Sequence, residues 1–187
     1  MPMFIPTSKR SIFLIGPMGV GKTTIGRTLA ALLQLEFIDS DQEIERRAGA
    51  NIAWIFDVEG EAGFRDREAA VIDDLTQREG VLLATGGGSI LRPENREHLS
   101  TRGVVLFLDT SLEVQIKRTA KDKKRPLLQT GDPVGVLRQL KAVRDPIYNA
   151  LADIKVTVSD NNTRRIMSMI MRKLDDIHFE YPGSRIN

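Results

Sequence analysis

Gly16-Pro17-Met18-Gly19-Val20-Gly21-Lys22-Thr23 decides how this chain folds, because a glycine, four residues and then Gly-Lys-Thr is the spacing of a P-loop. An apolar, strand-like run precedes it and a helical pattern follows it. The glycines let backbone N–H groups turn inward around phosphate oxygens, at the positive end of the following helix. Lys22 is predicted to reach the β- and γ-phosphates of a nucleotide, and the Thr23 hydroxyl to hold Mg²⁺. The alternative is a glycine-rich turn that binds nothing.

The composition suits one compact domain, with 41% hydrophobic residues in a chain of 187. Since 27 Lys and Arg nearly balance 25 Asp and Glu, the net charge of +2 gives no reason to expect a nucleic-acid partner. The sequence has no cysteine for a disulfide framework, no stretch of about 18 apolar residues and no secretory signal. We expect a cytoplasmic monomer that contacts no membrane, with loose tails at 1–9 and 179–187.

Strand-like apolar runs alternate with helical segments five times along the chain. The runs are residues 11–15, 35–38, 81–84, 104–109 and 154–158. This alternation predicts an α/β fold, a parallel sheet with helices on both faces. The candidate site residues mostly follow the carboxyl ends of these runs, which meet at the edge where open α/β sheets bind their ligands. The sequence therefore predicts one site beside the P-loop.

Asp39 and Asp41 follow the second of these runs. If the chain is still extended there, the two side chains point the same way, because side chains alternate along a strand. Two carboxylates would then face one spot at the carboxyl end of a strand. The alternative is that Asp41 only caps the helix that starts at Gln42. Capping explains one aspartate but not both, which favours a functional pair.

Residues 42–80 are predicted to be helical in at least three pieces. Gly49 breaks the first piece, and Asn51 can cap the second. Trp54, in the second piece, is predicted to be a core residue rather than one that stacks on a ligand.

Two later segments have features of ligand binding. Gly86-Gly87-Gly88 comes soon after the third strand-like run. Three consecutive glycines lose much conformational entropy on folding, so their presence needs a reason. We expect that the backbone approaches a ligand closely there. Residues 119–131 form a cationic segment with little periodicity. Its default interpretation is a solvated basic loop. Beside a phosphate site, the alternative is a mobile lid that brings an arginine to the transferred phosphoryl group.

The chain resembles a shikimate kinase from about residue 11 to residue 177. Six motifs match in the family's order and spacing: the P-loop, Asp39-Ser40-Asp41, Gly60-Glu61-Ala62-Gly63-Phe64-Arg65, Gly86-Gly87-Gly88, Arg125-Pro126-Leu127-Leu128 and Arg144-Asp145-Pro146-Ile147-Tyr148. A P-loop alone would indicate only a nucleotide, whereas the six together are highly specific. The chain departs from the family's pattern at Ile147, where leucine is usual, and in Asp160-Asn161-Asn162, where a glutamine often contacts the nucleotide.

The resemblance implies a P-loop NTPase fold of the nucleoside-monophosphate-kinase type, a three-layer α-β-α structure whose five-stranded parallel sheet has the order 2-3-1-4-5. It implies a single kinase domain over residues 1–187, with a substrate-binding segment at about 40–70 and a lid at about 118–131.

The resemblance also implies the roles of individual residues. The nucleotide ligands would be Gly19, Val20, Gly21, Lys22, Thr23, Thr24 and Arg125. Shikimate would be bound by Asp41, Arg65, Gly87 and Arg144, and Mg²⁺ by Thr23, with Asp39 helping through water. Arg118 resembles the family's adenine-stacking arginine, with an exposed helix-end cation as the alternative, and Asn161 and Asn162 are both candidates to contact adenine.

The residue types suit phosphoryl transfer to a small hydroxylated acid. Arg65 and Arg144 come from separate segments and can clamp a carboxylate by charge-assisted hydrogen bonds. Glu68, one helical turn beyond Arg65, either holds the guanidinium in position or forms a surface ion pair. The expected catalytic residues are Asp41, which orients or deprotonates the attacking hydroxyl, and Lys22 and Arg125, which stabilise charge.

The expected reaction transfers the γ-phosphate of ATP to the 3-hydroxyl of shikimate, in the pathway to aromatic amino acids, with ATP and Mg²⁺ as cofactors. Two alternatives are a gluconate-type kinase, which would not need two arginines for a ring carboxylate, and a nucleotide-binding regulatory module without catalysis. The presence of Lys22, Asp41 and Arg125 argues against the second alternative.

Overall fold

The apolar runs of the sequence become the strands of a single sheet in the computed structural model, which describes residues 10–122, 125–159 and 161–182. The strands are β1 (Ile12–Ile15), β2 (Glu36–Asp39), β3 (Val81–Ala84), β4 (Val104–Asp109) and β5 (Ile154–Thr157). The helices are α1 (Lys22–Leu33), α2 (Ser40–Ala48), α3 (Ile52–Thr76), α4 (Pro93–Arg102), α5 (Leu112–Thr119), α6 (Pro133–Leu151) and α7 (Thr163–Asp176), with short 3₁₀ turns at Ser89–Leu91 and Pro126–Leu128.

The five strands are parallel and lie in the order β2-β3-β1-β4-β5, which confirms the predicted fold. β1 is central, with Ile12 opposite Leu82 of β3 on one side and Val104 of β4 on the other. A strand enclosed in this way has both faces buried, which explains its unbroken apolar sequence. The P-loop leaves the middle of the sheet at its carboxyl edge.

Two hydrophobic clusters cover the two faces of the sheet, and side-chain alternation along β1 divides its residues between them. Ile12 and Leu14 join the cluster that contains residues of α1 and α7. Phe13 and Ile15 join the cluster that contains residues of α3, α4 and α6. The molecule therefore has three layers, helix, sheet and helix, as predicted.

Residues 40–76 form the predicted helical pieces, with one error in the core assignment. Gly49, in the left-handed conformation at φ 66°, ends α2, and the Asn51 side chain caps α3 by accepting a hydrogen bond from the Trp54 N–H at 2.8 Å. Gly60, at φ 72°, interrupts the helical geometry of α3. The prediction that Trp54 is a core residue is wrong, because the side chain is 51% exposed. Its neighbour Ile55 is buried in its place.

The chain ends are only partly described. Phe179, assigned to the C-terminal tail from the sequence, packs against the α7 side of the core, and its ring stacks on Tyr181. The tail predicted at 1–9 and residues 183–187 lie outside the described residues, as do Asp160 and two residues of the predicted lid, 123 and 124. Across the described ranges, no helix is both long enough and apolar enough to cross a membrane.

Candidate active site

Seven of the predicted site residues line one cavity of about 770 Å³, which includes residues just beyond the carboxyl ends of β2 and β3. Its walls come from the P-loop, from α2 and α3, from the glycine run after β3, from the predicted lid and from α6. The predicted residues that line it are Thr23, Asp39, Asp41, Arg65, Gly87, Arg125 and Arg144. The other predicted residues, all in or next to the P-loop, do not line it: Gly19, Val20, Gly21, Lys22 and Thr24. One cavity therefore unites segments that are far apart in the sequence.

Lys22 is the first residue of α1, and its ammonium group is held by the P-loop itself. Gly21 caps the helix in a left-handed conformation, at φ 99°, which only glycine adopts without strain. Lys22 Nζ donates to the carbonyl oxygens of Gly16 at 2.6 Å and Pro17 at 3.0 Å. Burial, with the nearby charge of Arg125 adding to it, lowers the pKa of Lys22 to about 7. An anionic phosphate beside this ammonium favours the charged form.

Asp39 ends β2 and caps α2. Its Oδ1 accepts hydrogen bonds from the backbone N–H groups of Asp41 at 2.9 Å and Gln42 at 3.2 Å. The expectation of an extended chain through Asp41 is wrong, because Asp41 lies in the first turn of α2. The capping role considered for Asp41 belongs to Asp39. Asp39 Oδ2 accepts from the Thr23 hydroxyl at 2.8 Å, which places two oxygen ligands suited to Mg²⁺ side by side.

Asp41 and Glu68 bring two buried carboxylates to the same small space. A Cβ placed on Gly86 would lie 2.9 Å from Asp41 Oδ1 and 2.9 Å from Glu68 Oε2. Within the described part of the chain, neither oxygen has a hydrogen-bond partner. Burial raises the pKa of both carboxyl groups, and Asp39 raises that of Asp41 further. Buried oxygens without donors are unfavourable, so this space is suited to a ligand that supplies hydroxyl groups.

The Arg65 guanidinium is positioned by acidic residues of its own helix. Nη1 donates to Glu68 Oε1 at 2.9 Å and Nη2 to Glu61 Oε1 at 3.2 Å, at the i,i+3 and i+4 spacings that bring helix side chains together. The group also lies over the ring of Phe64, 5.1 Å from its centroid. Glu68 is only 1% exposed. It therefore forms a buried pair with Arg65 and not the surface ion pair that the sequence left open.

Arg144 reaches the cavity from α6 and is buried beside the glycine run. A Cβ on Gly87 would lie 3.2 Å from Arg144 Nη1 and 3.6 Å from the Tyr148 hydroxyl oxygen. Burial lowers the pKa of Arg144, and the nearby Arg65 adds to that effect, while Tyr148 opposes it. Two buried guanidinium groups at one site are suited to an anionic ligand.

The three glycines after β3 make room for site side chains. Arg65 lies so close to Gly88 that a Cβ there would be 2.6 Å from its Nη1. Gly86 faces the two carboxylates, and Gly87 faces Arg144. The sequence predicted a close approach between this backbone and a ligand. The structure adds a second reason for the glycines, because any side chain here would displace the protein's own charged groups.

Arg125 stands at the start of the 3₁₀ turn Pro126–Leu128 and lines the cavity. Its Nε donates to Asp122 Oδ2 at 2.7 Å, and the side chain is partly exposed. The predicted lid residue thus lies at the site, held by a carboxylate of its own segment.

Arg118, in the last turn of α5, joins the P-loop to the segment before α7. Nη1 donates to the carbonyl oxygens of Gly19 at 3.2 Å and Val20 at 2.9 Å, and Nη2 donates to Asn161 Oδ1 at 2.7 Å. Asn162 instead caps α7 by accepting from the Arg165 N–H. Asn161, one of the two asparagines considered for adenine, therefore contacts Arg118.

Sequence reasoning missed two buried residues that support the site. Gln115 of α5 donates from Nε2 to the carbonyl oxygen of Met18 in the P-loop at 3.0 Å. Tyr148 donates its hydroxyl to the carbonyl oxygen of Gly87. Tyr148 has a sequence signal, since it lies four residues after Arg144 on the same helix face. Gln115 has none, because a glutamine in a helix next to charged residues is usually exposed.

A P-loop with its lysine, a hydrogen-bonded Thr23–Asp39 pair and an adjoining pocket with two arginines define the class of protein as an α/β P-loop kinase. A family model described as "Shikimate kinase" matches residues 18–175. The chain belongs to the shikimate kinase family.

Relatives and solved structures agree with this assignment. The chain is 55% identical over 171 residues to a shikimate kinase of Pasteurella multocida, covering 91% of this chain and 98% of the relative. It is 56% identical over 168 residues to one of Vibrio cholerae serotype O1, covering 90% and 97%. A structure of the Acinetobacter baumannii shikimate kinase in complex with shikimate superposes with a TM-score of 0.89, at 46% identity, over 93% of this chain and 97% of the other. The chain is therefore an enzyme, a transferase that uses ATP to phosphorylate shikimate in the shikimate pathway.

Proposed function

We propose that this chain transfers the γ-phosphate of ATP to the 3-hydroxyl of shikimate with the residues gathered around the cavity described above. The observation that carries the proposal is the shared cavity of Thr23, Asp41, Arg65, Arg125 and Arg144, which brings a phosphate-binding loop and an acid-binding pocket together. Phosphoryl transfer needs the attacking and leaving oxygens in line with the phosphorus atom. A cavity that adjoins both the P-loop and the pocket with two arginines would hold ATP and the acceptor next to each other.

Arg65 and Arg144 would clamp the carboxylate of shikimate, with Gly87 beside them. Glu68 and Glu61 already restrain the Arg65 guanidinium, so little side-chain freedom is lost when the acid binds. The free Arg65 Nε, which has no partner among the described residues, offers a further donor. The pair would give specificity for an acid over an uncharged polyol.

Asp41 would accept hydrogen bonds from the ring hydroxyls and orient, or deprotonate, the attacking oxygen. Its unpartnered Oδ1 and its raised pKa, which results first from burial and then from Asp39, support this role. A carboxylate with raised pKa is a stronger base than an exposed aspartate.

The P-loop residues Gly19, Val20, Gly21, Lys22, Thr23 and Thr24 would bind the triphosphate. Lys22 and Arg125 would stabilise the charge of the transferred group. Thr23 would hold Mg²⁺, with Asp39 helping through water, and their adjacent oxygens fit this hard cation. When bound, Mg²⁺ supplies charge stabilisation on the phosphate oxygens.

We further propose a cytoplasmic monomer with no nucleic-acid or membrane partner. Its single domain would include a substrate-binding segment at about 40–70 and a lid at about 118–131. The near balance of charges supports the absence of a nucleic-acid partner, and residues of both segments line the cavity, which supports their proposed roles.

The first experiment measures ADP release in parallel with shikimate, with gluconate and without an acceptor, each with and without Mg²⁺. We expect release only with shikimate plus Mg²⁺. Equal release with gluconate would overturn the acceptor assignment, and release in excess EDTA would overturn the metal role.

The second experiment tests Asp41. Asp41→Asn keeps the size of the side chain but removes its charge, so kcat should fall by at least about 100-fold with little change in nucleotide affinity. Asp66→Asn, at a carboxylate whose side chain is 72% exposed, serves as the matched control. Near-normal turnover of Asp41→Asn would contradict the proposed role.

A further inference from the structure

Tyr148 is a buried polar residue for which the reaction described so far has no use. It lies one helical turn after Arg144 in α6 and is only 1% exposed. Its ring stacks on Phe107 of β4, with centroids 5.0 Å apart and an interplanar angle of 28°. Its position is therefore set by the sheet below it and does not depend on a ligand.

The Tyr148 hydroxyl lies between two proposed shikimate-binding residues from different segments. It donates to the carbonyl oxygen of Gly87, in the run after β3. The same hydroxyl and Arg144 Nη1 lie 3.6 Å and 3.2 Å from the point where a Gly87 Cβ would be, so both groups adjoin the same stretch of backbone. Burial lowers the pKa of Arg144, and the nearby Tyr148 opposes that effect. The Tyr148 hydroxyl therefore binds the backbone carbonyl of Gly87 and lies in the neighbourhood of the Arg144 guanidinium.

Loss of this hydroxyl would leave a partly buried carbonyl without its donor and remove a neighbour that restrains Arg144. Neither Tyr148 nor Gly87 is hydrogen-bonded to Lys22 or to the Thr23–Asp39 pair in the described part of the chain. The larger consequence should therefore fall on the acceptor. A long arginine side chain that gains rotamer freedom binds an anion less well, because it must be ordered on binding.

We propose that Tyr148 is a positioning residue for the acceptor, whose hydroxyl holds Gly87 and Arg144 in the arrangement that receives the carboxylate of shikimate. This inference rests on the proposed roles of Gly87 and Arg144. Burial also raises the pKa of the Tyr148 phenol, so the hydroxyl stays a donor throughout the usual assay range, and the effect of its removal is the same from pH 6.5 to 8.5.

The test is Tyr148→Phe, which removes one oxygen and keeps the ring that stacks on Phe107. We expect the KM for shikimate to rise about tenfold, with kcat and the KM for ATP within about twofold of wild type. Tyr181→Phe is the matched control, since the chain has two tyrosines and Tyr181 stacks on Phe179 away from the cavity. If Tyr148 only stabilised the fold, Tyr148→Phe would lower Tm and would not raise the KM for shikimate more than the KM for ATP.

A comparison with a double variant shows whether Tyr148 affects the KM for shikimate through Arg144. If Tyr148 acts through Arg144, Tyr148→Phe added to Arg144→Ala should raise the KM for shikimate by less than about threefold beyond Arg144→Ala alone. A full further tenfold rise, or an unchanged KM in the single variant, would overturn the inference. If wild type itself fails to phosphorylate shikimate, the proposed function fails and not the positioning role.

A second measurement needs no variant at Tyr148. In Tyr181→Phe, Tyr148 is the sole tyrosine, so protein labelled with ¹³C at the tyrosine ring carbon that bears the hydroxyl gives one signal. We expect that signal to shift on titration with shikimate and to stay in place with gluconate. A signal unmoved by saturating shikimate would contradict the proposal.

Discussion

Gly88 shows how a residue without a side chain controls a charged group. A Cβ at this position would be 2.6 Å from Arg65 Nη1, so Gly88→Ala must push the guanidinium away from Glu68. The displaced atoms are the far end of a flexible side chain, so the backbone need not move, but the buried Glu68 loses its partner and Tm should fall as well. We expect the KM for shikimate to rise at least about tenfold, because a misplacement of about 1 Å disturbs a positioned ligand strongly.

Steady-state kinetics with varied shikimate, together with Tm, checks this expectation. Gly131→Ala is the control for Tm, since no atom of the described residues lies within 4 Å of a Cβ built there. A Gly88→Ala enzyme with the wild-type KM for shikimate would show that Arg65 need not lie against this backbone.

Individual site residues differ in how far the sequence could predict them. Lys22 and Thr23 follow from local spacing, because the P-loop is a continuous segment. The pairing of Glu68 with Arg65 follows from helical spacing, but its burial depends on α3 packing against distant segments. The contact between Gln115 and Met18 spans 97 positions and has no local signal.

The α2–α3 pair is joined by a surface ion network with a pH dependence. In α2, Glu43 accepts hydrogen bonds from Arg46 and Arg47, which lower its pKa from the usual 4.5 to about 2, and Arg47 also pairs with Asp74 of α3. The carboxylate therefore stabilises the fold above about pH 4.5 and loses this effect as the pH falls toward 2. We expect Glu43→Gln to lower the free energy of unfolding at pH 7 by about 1 kcal/mol, after allowing for solvent screening.

Urea unfolding at several pH values measures this difference. The gap between wild type and Glu43→Gln should shrink as the pH falls from 4.5 toward 2, and added salt should reduce it at pH 7. Glu36→Gln, at the exposed start of β2, gives the baseline. A gap that stays constant over this range would exclude the ion network as its source.

The helices and strands themselves were predictable except where two rules competed. Alternation of side chains suggested that Asp39 and Asp41 share a strand face, but the Asp39 side chain caps a helix and ends the strand. Aromatic character suggested that Trp54 is buried, but Ile55 is the residue that α3 turns toward the core. In each case, the outcome depends on where a helix starts or which way it faces, which neighbouring segments decide.

The two faces of the sheet have different relations to the site. Among the residues that the structure describes, the cluster on the α1 and α7 side contributes none to the cavity wall, whereas α3, on the other side, contributes several. A core truncation on the α1 and α7 face should therefore lower stability without weakening acceptor binding, whereas one on the α3 face should affect both. A variant with one truncated core side chain should still fold, because it loses only part of a typical free energy of unfolding of about 5–15 kcal/mol.

Ile170→Ala in α7 and Ile55→Ala in α3 form the matched pair, because both side chains are 0% exposed. Each should lower the free energy of unfolding by about 2–5 kcal/mol, measured as a lower urea midpoint with an unchanged slope. Only Ile55→Ala should also raise the KM for shikimate, since its neighbours Ile52 and Phe56 line the cavity. Equal changes in KM for the two variants would mean that the faces are coupled through the sheet and that the site responds to the stability of the whole domain.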